Sequence, residues 1–75
     1  MNQSMSRDEH EIRRLLEDGI SQEVSAEDFD THDLKRFVRS AVDGDSTVII
    51  RDSDQLDAHD IRRIAEEGKG NVVFR

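Results

Sequence analysis

The sequence predicts an α/β fold made as a short repeat of α-β units, α-β-α-β-α-β, with a small, mainly parallel three-stranded sheet packed by helices. Three observations carry this. A heptapeptide recurs as Asp8-Glu9-His10-Glu11-Ile12-Arg13-Arg14, Asp30-Thr31-His32-Asp33-Leu34-Lys35-Arg36 and Asp57-Ala58-His59-Asp60-Ile61-Arg62-Arg63, each reading acid, any residue, His, acid, aliphatic, basic, basic. Each copy runs into a helical apolar stripe that reaches a glycine. Short β-branched segments follow the second and third glycines.

The heptapeptide reads as a helix start. With Asp8, Asp30 and Asp57 as N-caps, Glu11, Asp33 and Asp60 fall three residues on, where a carboxylate faces unpaired amides and the positive end of the helix dipole. Phe29 and Leu56 precede their caps while Leu34 and Ile61 follow four residues after them, the two positions of a hydrophobic staple. The first copy has Arg7 before its cap and so lacks the staple, and its helix should fray most readily. Ile12, Leu15 and Leu16, then Leu34, Phe37, Val38, Ala41 and Val42, then Ile61, Ile64 and Ala65 keep the i, i+3, i+4 spacing of one buried stripe per helix. Gly19, Gly44 and Gly68 suit a left-handed position after each helix, which gives helices at about 9–18, 31–43 and 58–67.

Thr47-Val48-Ile49-Ile50 and Val72-Val73-Phe74 read as strands of a parallel sheet covered on at least one face. The equivalent Ile20-Ser21-Gln22-Glu23-Val24 is weaker and reads as a loop or a polar edge strand. Strands separated by helices imply parallel pairing through right-handed crossovers. Helix starts 22 and then 27 residues apart match stacked β-α solenoids. Helices on one side only would make a short solenoid, similar in layout to a leucine-rich repeat, although that family's leucine and asparagine signature is missing. A compact sheet with helices on both faces is the alternative. The chain is expected to be one small acidic domain, 1–75, with units of about 7–29, 30–56 and 57–75 and a flexible start over residues 1–6. Asn71-Val72-Val73-Phe74-Arg75 then forms a strand without Pro, bulge or inward charge, an edge open to homodimerisation. If that strand were central instead, the weak first strand would be the edge, with Glu23 discouraging addition.

Composition narrows the function classes. The chain has 75 residues, 33% apolar and 39% charged, and its apolar residues are periodic, which argues for a small folded core against a disordered tail. Cysteine is absent, which excludes disulfides and thiolate zinc sites. No signal peptide or membrane span is visible, so a cytoplasmic location is expected. The formal charge of −7 is uneven: eight acids and three bases over 1–29, six and four over 30–56, and four of each over 57–75. Direct nucleic-acid binding needs clustered Lys and Arg and is disfavoured; a protein partner with a basic surface is favoured, and the same asymmetry also serves solubility.

His10, His32 and His59, each flanked by carboxylates, supply ligands of suitable chemistry for a metal. Stacked units would hold them roughly one helix diameter apart, about 10 Å, too far for one ion. No metal or cofactor is expected, and the histidines are read as exposed groups within reach of neighbouring carboxylates. The pairs Arg13-Arg14, Lys35-Arg36 and Arg62-Arg63 would align beside the acidic helix starts, giving parallel stripes of opposite charge suited to docking. Enzyme chemistry has little support: there is no Cys or Tyr, Gly68-Lys69-Gly70 lacks the rest of a P-loop, and His59 with Asp57 or Asp60 is better accounted for by capping.

The expected function is therefore a small non-enzymatic protein–protein interaction or regulatory module, using Arg13, Arg14, Lys35, Arg36, Arg62, Arg63, Val72, Val73 and Phe74. Two alternatives stand beside it. An acidic array of Asp8, Glu9, Glu11, Glu17, Asp18, Glu23, Glu27 and Asp28 would imitate nucleic-acid phosphates and block a DNA- or RNA-binding protein. A self-assembling stack of repeats would continue through open apolar ends, against the repulsion of the net charge.

Overall fold

Asp8, Asp30 and Asp57 start the three helices in the same way. In the structure, a computed structural model that describes residues 8–75, each holds an extended backbone with φ of −78°, −83° and −84°. Their carboxylates accept from the amides of Glu11, Asp33 and Asp60 at 2.9, 2.9 and 2.8 Å. Helices α1 (Glu9–Glu17), α2 (Thr31–Gly44) and α3 (Ala58–Gly68) follow, each end within one residue of expectation. The expected flexible start, residues 1–6, and Arg7, on which the fraying of the first helix was argued, lie outside the described residues.

The staple differs in detail from expectation. Phe29 is half-buried and sets its ring edge-on against Phe37, with centroids 4.9 Å apart and planes at 83°. Leu56 packs against the core, but Ile61 stays half-exposed, with no helix against that flank among the described residues.

The glycines that close α2 and α3 correct the sequence reading. The left-handed residues there are Asp45 and Lys69, at φ 57° and 47°, while Gly44 and Gly68 are still helical. Their role is close approach. A Cβ on Gly44 would lie 2.0 Å from the Leu16 carbonyl oxygen, and one on Gly68 would lie 3.2 Å from Val38 Cβ. Adjacent helices normally stand 8–10 Å apart, whereas adjacent strands stand about 4.8 Å apart. Glycine lets the helices converge at the end where the chain enters the sheet.

Strands β1 (Gln22–Ser25), β2 (Val48–Arg51) and β3 (Val72–Phe74) form a parallel sheet in sequential order β1-β2-β3, and a single 3-10 turn, Ser53–Gln55, precedes α3. The weak first segment is therefore a true edge strand, and β3 is the other edge rather than central. In register, Val24, Ile50 and Phe74 form one inward row and Gln22, Val48 and Val72 another. Glu23, Ile49 and Val73 make the row on the opposite face, where Val73 is 42% exposed. α2 contacts α1 on one flank and α3 on the other, so all three helices cover one face of the sheet. The two-sided alternative does not occur. The core between the layers is Ile12, Leu16, Val24, Leu34, Phe37, Val38, Ala41, Val48, Ile50 and Ile64.

Polar side chains tie each helix–strand segment to the next. Buried Ser46 donates to the Leu16 carbonyl at 2.7 Å, Ser21 Oγ accepts from the Thr47 amide at 3.0 Å, and Asn71 Nδ2 donates to the Ser46 carbonyl at 2.8 Å. These bonds satisfy backbone groups at helix ends and strand starts that would otherwise be costly where buried. Ser25, buried although its place in the register puts it on the open face, donates to Asp52 Oδ2 at 2.5 Å.

Candidate interaction surface

The six dibasic positions do not form a uniform free ladder. Arg36 on α2 reaches Glu9 on α1 at 2.9 Å, and Arg13 approaches the same carboxylate at 3.7 Å, so one acid gathers two guanidinium groups between neighbouring helices. Lys35 is half-buried, while Arg14, Arg62 and Arg63 are exposed. Arg39, outside the repeated pairs, makes the bond from α2 to α3, meeting Glu67 at 2.8 Å. The hydrogen bond and charge of each partner hold the Glu67 carboxyl below its usual range and the Arg39 guanidinium above its own.

Between α1 and α2 these residues line a groove of about 380 Å³, formed by Arg13, Glu17, Arg36, Arg39, Ser40 and Asp43. It is open to solvent and mixes cations with carboxylates, so it favours neither sign of ligand. The buried Nε of Arg13 has no hydrogen-bond partner among the described residues.

The acidic array is partly neutralised. Glu9 is tied to Arg13 and Arg36, Glu23 to Arg51 at 2.8 Å across the open sheet face, and Glu17 accepts from Ser40 Oγ at 3.2 Å. Asp8 is occupied as a cap. Glu11, Asp18, Glu27 and Asp28 are exposed. Asp33, placed at a favourable helix position by its sequence, has its carboxyl raised above the ordinary value: partial burial comes first, then the charges of Asp30 and Glu9.

Of the three histidines, His59 stands where donor atoms of Asp57, His59 and Asp60 all lie within 4.8 Å of one another. Asp57 spends its carboxylate on the Asp60 amide, and the cluster sits at a helix start with Asp57 and His59 exposed and Asp60 half-exposed, an arrangement that capping accounts for. His10 and His32 are exposed on the other helix starts.

The most distinctive surface lies at the third segment, and only part of it was visible in the sequence. Counted from the caps, Leu16, Val38 and Ala65 are equivalent. Leu16 and Val38 are completely buried, since α2 and α3 lie against them; Ala65 is half-exposed. The same flank carries exposed Ala58, Arg62 and Glu66, equivalent to Glu9, Arg13 and Glu17, and Arg62 and Glu66 form no ion pair among the described residues. Superposing the three heptapeptides and asking which helix covers each position would have found this flank.

Beside it runs the β3 edge. Val48 N donates to the Asn71 carbonyl and Arg75 N to the Ile50 carbonyl, so residues 71, 73 and 75 face β2. The main-chain groups of Val72 and Phe74 therefore point away from the sheet, into the free edge. At the opposite edge, Gln22 N and Ala26 N bond to β2, which leaves the groups of Glu23 and Ser25 outward, beside an acidic side chain. No helix among the described residues is long and apolar enough to cross a membrane. No protein-family model matches the chain, and no curated protein or solved structure matches it.

Proposed function

We propose that the chain is a small, non-enzymatic protein–protein interaction or regulatory module, laid out as a one-sided α-β solenoid of three units whose third unit docks the partner. The observation that carries this reading is the coincidence, among the described residues, of an uncovered helix flank at Ala65 with an unpaired strand edge at Val72 and Phe74. A partner strand added to β3 gains main-chain hydrogen bonds, and Arg62 and Arg63 set charge preference beside it. Arg13, Arg14, Lys35 and Arg36 extend the charged surface across the first two units. The groups that could be assembled into an acid–base pair, Asp57, His59 and Asp60, are engaged at a helix cap.

An affinity pull-down at low and high salt tests this, with wild type beside the Val73→Asp, Phe74→Asp double variant and Val72→Pro. Phe74 packs on the core, so the double variant is first checked for fold by circular dichroism. Proline at 72 removes an outward amide and keeps the β2–β3 hydrogen bonds, and because Val72 also packs on the core this variant takes the same fold check. A partner retained by wild type and lost by Val72→Pro is the expected result; binding indifferent to both variants would sink the reading.

The competing reading is acidic mimicry of nucleic-acid phosphates by the first unit, favoured by exposed Glu11, Asp18, Glu27 and Asp28. It predicts binding that weakens steeply with salt and competes with DNA or RNA, where strand addition responds little.

A further inference from the structure

We infer that the third unit's partner is a second copy of this chain, docked about a two-fold axis with β3 antiparallel to β3 and α3 antiparallel to α3. This deepens the function proposed above and rests on it. Three features choose this occupant.

The β3 edge offers paired donors and acceptors at Val72 and Phe74, and an antiparallel copy of the same edge presents the same groups in return. The flank of α3 is self-complementary in charge. Arg62 and Glu66 lie one turn apart on either side of the helical level of Ala65, so antiparallel apposition brings Arg62 of each copy alongside Glu66 of the other. Small residues at Ala58 and Ala65 allow the helices to approach. Half-exposed Leu56, Ile61, Val72 and Phe74 lie at the same end of the molecule and supply apolar area.

Charge also excludes the other arrangements of like copies. Residues 57–75 carry four acids and four bases, so this end meets itself without net repulsion, whereas the first unit carries eight acids against three bases. A head-to-tail stack, α3 against the outer flank of α1, would set Arg62 beside Arg14 with Ala58 in the place of the bridging Glu9. It would also set Glu66 against Asp18, where the α2–α3 junction has Arg39 against Glu67. Both contacts are like-charged. A two-fold interface closes at two copies and an open stack does not.

Sedimentation equilibrium of the 75-residue chain over a wide concentration range tests the inference. The expected result is a species at twice 8.6 kDa with no larger assembly. Arg62→Glu and Glu66→Arg should each weaken dimerisation about tenfold, and the two together should restore it, because a two-fold contact is indifferent to exchanging the signs. Both residues are exposed and form no ion pair among the described residues, so these variants are expected to keep the fold, which circular dichroism checks. A monomer at every concentration, growth beyond two copies, or failure of the double exchange to rescue would each overturn the inference. A monomeric chain that still loses a captured partner in Val72→Pro would overturn the second copy alone; a monomer whose captured partner ignores Val72→Pro would overturn both.

Discussion

A methyl group at Gly44 would stand 2.0 Å from the Leu16 carbonyl oxygen and 2.6 Å from the Glu17 carbonyl carbon, both backbone atoms that cannot turn aside. Gly44→Ala is expected to cost about 1–3 kcal/mol as overpacking, more than Gly70→Ala, whose only penalty is a side chain at φ 89° in open space. Urea denaturation of the two variants checks the ranking, and the reverse order would refute the close-approach role. Titration supplies a second test at this scale. Asp33 binds its proton more tightly folded than unfolded, so it subtracts stability as pH rises from its ordinary 3.8 through its raised folded value. Glu67 is the opposite case: its contribution is present above its ordinary 4.5 and is lost as pH falls through the lowered folded value. Asp33→Asn should therefore gain relative to wild type between pH 3 and 7, and Glu67→Gln should lose, by a small amount because the pair is open to solvent. Melting curves across that range report both signs.

The helices were the most legible part of the chain because their starting signals are local. A cap needs only one carboxylate and an amide three residues on, so Asp8, Asp30 and Asp57 could be assigned from spacing, and all three bonds form. Each Asp→Ala exchange should cost about 1 kcal/mol, with faster amide exchange concentrated in the helix that loses its cap. Equal acceleration in all three helices would show that the caps hold the global fold rather than the local turn. Features that depend on a neighbour were not legible in the same way. Gly44 and Gly68 looked like left-handed terminators, but what selects them is the preceding helix: the Leu16 and Glu17 backbone for Gly44, and the Val38 side chain, together with Val72 of β3, for Gly68. The exposed flank of α3 could not be read from α3 alone, because Ala65 differs from Leu16 and Val38 in what lies beside it rather than in its place in the pattern.

At the scale of the whole molecule, strand order is the property that sequence periodicity leaves open, since parallel strands and one-residue-accurate helices are compatible with either β2 or β3 at the centre. Sequential order resolves it and places every helix on one face. It also distributes protection unevenly. β2 has a neighbour on each side and carries Val48, Ile49 and Ile50, the most apolar run in the sheet. Only the three residues of β3 shield one side of it. A fluctuation that peels β3 away would bare this three-residue apolar run as a template with main-chain groups unsatisfied, in a state otherwise close to native. The short outer strand thus acts as a guard against misassembly, and whatever holds β3 in place also keeps the protein from clumping during partial opening.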